Sequence, residues 1–121
     1  MMKKVLVVDD EATILKLLSH YLSKYYSVTT MPDGRQALLW MQEGNIPDII
    51  VADIQMPYMD GDEFLSQIKS SGFFKNIPVI MLSALENSGE RIKFLRMGAR
   101  DYVVKPFNPE ELYLRIKNLL A

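Results

Sequence analysis

Five times in this chain a short apolar run gives way, within a few residues, to a stretch whose apolar side chains recur at helical spacing. The runs are Lys3–Val8, Tyr26–Met31, Asp48–Asp53, Pro78–Ser83 and Arg100–Val104. Val5-Leu6-Val7-Val8 and Ile49-Ile50-Val51-Ala52 are continuous rather than alternating, which suits strands covered on both faces. Tyr26 to Met31 alternates and suits an edge. Between the runs, Ala12–Lys24 carries Ile14, Leu17, Leu18, Tyr21 and Leu22 on one stripe. Asp33 is placed to cap a second helix, with Ala37, Leu38 and Met41 inward and Gly44 as its stop. A third helix, Asp62–Ser71, buries Phe64, Leu65 and Ile68, and Gly61 before it relieves a turn. Asn87–Met97 is a weaker helix whose apolar side is Ile92, Leu95 and Phe94, ending at Gly98. Asn108 caps the last helix, with Pro109 at its first position and Leu112, Ile116, Leu119 and Leu120 as its stripe. Strict alternation with short connections predicts right-handed βαβ units. The fold class is therefore α/β: a doubly wound, five-stranded parallel sheet with helices on both faces.

The chain has no linker, repeat or low-complexity segment, so residues 1–121 read as one domain, long enough to bury its own core. With 14 basic and 15 acidic residues it has neither the basic footprint of a nucleic-acid binder nor a polybasic membrane patch. No apolar run approaches membrane-spanning length, and Met-Met-Lys-Lys leads straight into a strand rather than a signal peptide. The absence of cysteine excludes disulfides, thiolate zinc sites and cysteine nucleophiles. The expected location is cytoplasmic.

In a parallel sheet every strand ends on the same rim, and here the rim carries chemistry. Asp9-Asp10 follow the first strand, Asp53 ends the third, Ser83 the fourth, and Lys105 follows the fifth. Ligands of open α/β sheets bind at that edge, where strand order reverses. Three carboxylates brought together repel, so at least one pKa should rise unless a cation is shared. Hard oxygen donors without histidine or cysteine favour Mg2+. A lysine adds positive charge, and a serine hydroxyl can donate to an oxyanion. These parts suit phosphoryl transfer, with Asp53 as the nucleophile forming an aspartyl phosphate.

The stretches VLVVDDE, DIIVADIQMPYMDGDEF, IPVIMLSA and GARDYVVKPF, with the closing helix, resemble the CheY-like receiver domains of bacterial two-component response regulators. The resemblance covers the whole chain and implies the strand order 2-1-3-4-5. It implies that Asp53 accepts a phosphoryl group from a phosphohistidine of a sensor histidine kinase. Asp10 would bind Mg2+ directly and Asp9 through water, with Asp53 itself and the backbone carbonyl of Gln55 also ligating. Ser83 stands where the family has its switch hydroxyl, beside the small Ala84, and Lys105 would pair with phosphoryl oxygens. The Lys105–Pro106 bond is implied to be cis. Tyr102 matches the aromatic that fills the space left when the hydroxyl moves. Gln55 and Leu85 flank the site and would tune the lifetime of the phosphoryl group. Such a protein is a signalling switch, not an enzyme.

The output surface would be the fourth helix, fifth strand and fifth helix. Arg91 and Glu111 should face each other there, and Asp101 should approach Arg115. In receivers of OmpR-type winged-helix transcription factors, residues of the same type pair across a two-fold homodimer. That class has a second acid before Asp101, where this chain has Arg100. The alternative is a stand-alone receiver, ending at Ala121, that docks onto a protein partner. No recognition helix is visible, so this chain itself should not bind DNA. His20, alone on the first helix, reads as surface or packing. Two competing readings are weaker. A flavodoxin-like module would need hydroxyls and amides around a phosphate, where Asp9-Asp10-Glu11 repels one. A haloacid-dehalogenase-like phosphohydrolase would need Asp-x-Asp after the first strand, where the acids here are adjacent.

Overall fold

The computed structural model describes residues 2–121. Its strands are β1 (Lys4–Val8), β2 (Ser27–Met31), β3 (Ile49–Asp53), β4 (Val79–Ser83) and β5 (Asp101–Val104). They alternate with helices α1 (Ala12–Leu22), α2 (Gly34–Gln42), α3 (Gly61–Ser70), α4 (Ser88–Arg96) and α5 (Pro109–Leu120). All four strand pairings are parallel, in the order β2-β1-β3-β4-β5.

Side chains of successive strand residues point to opposite faces, and the sheet therefore divides the core in two. Leu6, Val8, Ile50, Ala52, Val79 and Met81 pack with Phe64, Leu65 and Ile68 of α3 and with α2 and α4. Val5, Val7, Ile49, Val51, Ile80 and Leu82 pack on the other face against Leu18 and Leu22 of α1 and Leu112 and Ile116 of α5. Every residue of β3 and β4 is buried, which is why these strands read as unbroken apolar runs. Each fully buried side chain of this size contributes roughly 1.5–3 kcal/mol. β2 is an edge strand and only half-buried, and its sequence alternates accordingly.

The helix starts follow local chemistry. Asp33 accepts from Gln36 N–H at 2.9 Å, Asp60 from Glu63 N–H at 3.0 Å, Asn87 from Glu90 N–H at 3.0 Å and Asn108 from Glu110 N–H at 2.9 Å. Such caps satisfy otherwise orphaned amides and contribute about 1 kcal/mol each. Gly44 and Gly98 end α2 and α4 with φ of 106° and 107°, the left-handed stop that glycine adopts without strain.

Three expectations need correction. Leu17 is 42% exposed, and Leu15 packs in its place beside Ile14 and Tyr21. On α4 the buried side chain is Phe94, whereas Ile92 and Leu95 lie open at 49% and 43% exposure. The half-buried Glu90, Arg91 and Met97 stand three or four residues from Phe94 and form its face of the helix. Gly61, finally, does not relieve a turn. It is the first residue of α3, and its N–H donates to Ile54 O at 2.6 Å. A Cβ there would sit 2.7 Å from Ile54 Cα, so glycine is required by close backbone approach.

Candidate functional site

The parallel register brings the strand ends level. Val8 pairs with Ala52, Asp53 with Leu82 and Ser83 with Val104, so the residues at and just after these positions share one rim. The site lies where β1 is flanked by β2 on one side and β3 on the other, the switch point of the topology. Carboxylate oxygens of Asp9, Asp10 and Asp53 all lie within 4.8 Å of one another. Asp9 and Asp53 are buried, and Asp10 is exposed at the mouth.

Each buried group is held by its neighbours. Asp9 Oδ1 accepts from Glu11 N–H at 2.9 Å, and Asp53 Oδ1 accepts from Ile54 N–H at 2.9 Å. Lys105 Nζ lies 2.9 Å from Asp9 Oδ2, 3.0 Å from Glu11 and 3.5 Å from Asp53. The Lys105 ammonium is a close partner of the buried Asp9 Oδ2, and it is shared with Glu11 and Asp53. Burial pushes the Asp53 carboxyl up to about 6, the Asp9 charge adds to it, and Lys105 and the Ile54 amide pull back less. Burial raises Asp9 as well. Burial alone would lower Lys105, but Asp9, Glu11 and Asp53 outweigh it and hold the ammonium at about 12. The expected carboxylate repulsion is thus present, and one lysine does not neutralise it. Three carboxylates with oxygens within 4.8 Å of one another, two of them buried and sharing a single lysine, fit a divalent cation such as Mg2+.

Ser83 is buried at the end of β4, accepting from Leu85 N–H at 3.0 Å and donating to Glu90 at 2.7 Å. Tyr102 is also buried, its hydroxyl hydrogen-bonded to Glu90 and 3.0 Å from Leu85 O. The ring lies beneath the Arg91 guanidinium at 5.0 Å and beside Phe94 at 6.4 Å, two residues of the inward face of α4. Gln55, Ala84 and Leu85 line the mouth of the same cavity, of about 230 Å³. The Lys105–Pro106 peptide is cis, as the resemblance implies.

Two site residues were not foreseen. Glu11 follows Asp9-Asp10 directly, so its ion pair with Lys105 had a signal in the sequence. Glu90 had none, since its position depends on the rotation of α4. The surface residues are rearranged too. Arg115 grips both Asp101 oxygens, at 2.9 and 3.1 Å, as expected. Within the chain, however, Glu111 lies 3.6 Å from Arg115, one turn along the same helix, and Arg91 is turned to Tyr102. No ion pair joins Arg91 and Glu111 among the described residues of the single protomer.

A parallel 2-1-3-4-5 sheet with acids, a hydroxyl and a lysine on its carboxyl rim defines the class of two-component receiver domains. The family profile described as "Response regulator receiver domain" matches residues 5–117, and the chain belongs to that family. It is 47% identical over 120 residues to the "Probable transcriptional regulator ycf27" of Guillardia theta, covering 98% of this chain and 45% of that protein. It is 43% identical over 117 residues to "Hybrid signal transduction histidine kinase D" of Dictyostelium discoideum, covering 97% of this chain and 8% of that one. Among solved structures, the chemotaxis response regulator CheY4 of Vibrio cholerae superposes with a TM-score of 0.92 at 36% identity, over 99% of this chain and 100% of that chain. The chain thus spans less than half the length of both curated relatives. Among the described residues, no helix is long and apolar enough to cross a membrane.

Proposed function

We propose that this receiver is switched by phosphorylation of Asp53, with the phosphoryl group drawn from a phosphohistidine of a sensor kinase. The observation that carries the reading is the buried Asp53 carboxylate between two acids and Lys105, 3.5 Å away. An Asp53 oxygen attacks phosphorus, and the phosphorus–nitrogen bond of the donor breaks. The electron pair stays on the imidazole nitrogen, which takes up a proton from water. Lys105, 3.5 Å from the Asp53 carboxylate, would hold a phosphoryl oxygen by charge and hydrogen bond. Asp9, Asp10, Asp53 and the Gln55 carbonyl are the groups that would hold Mg2+, which when bound neutralises charge on the phosphoryl oxygens. The chain acts as a signalling switch that assists its own phosphorylation, not as an enzyme with an external substrate. Acetyl phosphate with Mg2+ should add one phosphoryl group, read by intact mass, and Asp53→Asn or excess EDTA should abolish the addition. Undiminished labelling of the Asn variant would place the acceptor elsewhere.

Output runs through the surface of α4, β5 and α5. The relative named as a probable transcriptional regulator supports a regulatory output, which we read as a dimer built on Arg91, Asp101, Glu111 and Arg115, with the exposed Ile92 and Leu95 adding apolar area. The charged pairs would set geometry more than affinity, since exposed ion pairs contribute only about 0–1 kcal/mol. The expected result is a monomer in Mg2+ that sediments as a dimer once beryllofluoride is added as a phosphoryl mimic. A monomer in both conditions would favour the second reading, docking onto a different protein.

A further inference from the structure

Ser83 has one proton to donate, and in this structure it is committed. The hydroxyl donates to Glu90 Oε1 at 2.7 Å, with Leu85 O a more distant acceptor at 3.1 Å. Tyr102 donates to the same Glu90 oxygen. One carboxylate oxygen on the first turn of α4 therefore gathers both side chains whose movement the switch requires. Glu90 also lines the cavity into which Asp53 projects. The backbone N–H of Glu90 is held by the Asn87 cap at 3.0 Å, which fixes the start of the helix from which the side chain reaches into the site.

We propose that Glu90 is a positioning residue that competes with the phosphoryl group for the Ser83 proton and so sets how readily this receiver switches. The inference rests on reading Asp53 as the phosphoacceptor. A phosphoryl oxygen on Asp53 gains the Ser83 hydrogen bond only when the Ser83–Glu90 bond breaks. Glu90 and the phosphoryl group are like charges lining one cavity of about 230 Å³, so the same event repels the carboxylate. Glu90 shares the inward face of α4 with Arg91 and Phe94, which cover the Tyr102 ring. Its displacement removes the acceptor that Ser83 and Tyr102 share and leaves the tyrosine hydroxyl to Leu85 O. Phosphorylation is thereby reported to the output surface through Glu90 as well as through the tyrosine. Part of the phosphoryl group's differential affinity is used to break this contact, and only the remainder shifts the equilibrium.

Beryllofluoride affinity of the whole chain in Mg2+, measured by calorimetry, tests this. Glu90→Ala should bind about tenfold more tightly, the size of one charge-assisted hydrogen bond no longer opposed. Glu90→Gln should fall between, since its amide oxygen still accepts from Ser83 but carries no charge. In a Ser83→Ala background, Glu90→Ala should have much less effect, because there is no shared proton to compete for. An affinity no tighter in Glu90→Ala would overturn the proposal. So would an undiminished gain in the Ser83→Ala background, which would reduce Glu90 to a repelling charge. A wild-type chain that fails to bind beryllofluoride, or an Asp53→Asn chain that binds it equally, would instead remove the phosphoacceptor reading on which both rest.

Discussion

Gly61→Ala will destabilise this chain by about 2–3 kcal/mol, although alanine is the better helix former. The added Cβ would lie 2.7 Å from Ile54 Cα and 3.0 Å from Asp53 O. Both are backbone atoms, and only the third neighbour, Met81 Cε at 3.0 Å, is a flexible tip that can swing away. The Gly61 N–H bond to Ile54 O, at 2.6 Å, pins the start of α3 to the loop after β3, so relief requires moving one of them. Alanine's gain in helix propensity, at most about 1 kcal/mol, is the smaller effect and does not change the sign. The urea midpoint should fall with an unchanged m-value, and the melting temperature should drop by roughly 10 °C. Gly72→Ala is the control: a Cβ there meets nothing within 4 Å, so the midpoint should stay put. Equal stability of the two variants would refute the close-approach account. The clash also bears on function, because the crowded atoms include the carbonyl of Asp53 itself.

The second large effect has the opposite sign. In metal-free solution at pH 7, Asp53→Asn should be more stable than the wild type. The Asp53 carboxyl sits at about 6 against an ordinary 3.8, chiefly through burial and then through Asp9. A raised acid penalises the folded state only when ionised, so the penalty grows as pH climbs from about 4 to about 6 and is constant above. At roughly 1.4 kcal/mol per pH unit this is on the order of 3 kcal/mol at neutral pH, before the site relaxes. Asparagine keeps an oxygen for the Ile54 amide and removes the charge. Wild-type stability in EDTA should therefore rise as pH falls from 7 toward 5, with Asp9 adding to the trend, while the Asn variant responds less. Mg2+ should stabilise the wild type at pH 7 far more than the variant. Thermal unfolding across that pH range, with EDTA and with Mg2+, is the measurement. A less stable Asn variant in EDTA, or a wild type that weakens steadily on mild acidification, would contradict the assigned electrostatics.

Much of the candidate site was readable before any coordinates, for a reason that belongs to parallel sheets. Once each strand was placed, its last residue had to lie on the common rim, so Asp9, Asp10, Asp53, Ser83 and Lys105 converged without further information. The caps at Asp33 and Asn108 were equally local, because a side chain reaching an amide two or three residues on needs no tertiary partner. Glu90 was not readable. α4 is a nine-residue helix that buries Phe94 alone, and its sequence offers two apolar stripes, one through Phe94 and one through Ile92 and Leu95. Packing against β5 and Tyr102 chose the first, which turned Glu90 into the site and Arg91 over the Tyr102 ring.

By itself, then, the sequence determined the elements, their order, the fold class and the rim on which the chemistry stands. These follow from periodicity and from the geometry of parallel strands, which act along the chain or between whole elements. The tertiary structure alone decided the rotation of α4, the contact that forbids a Cβ at Gly61, and the sharing of one Glu90 oxygen by Ser83 and Tyr102. Each depends on how surfaces from distant segments fit at the scale of a single atom, and residue order along the chain does not encode that fit locally.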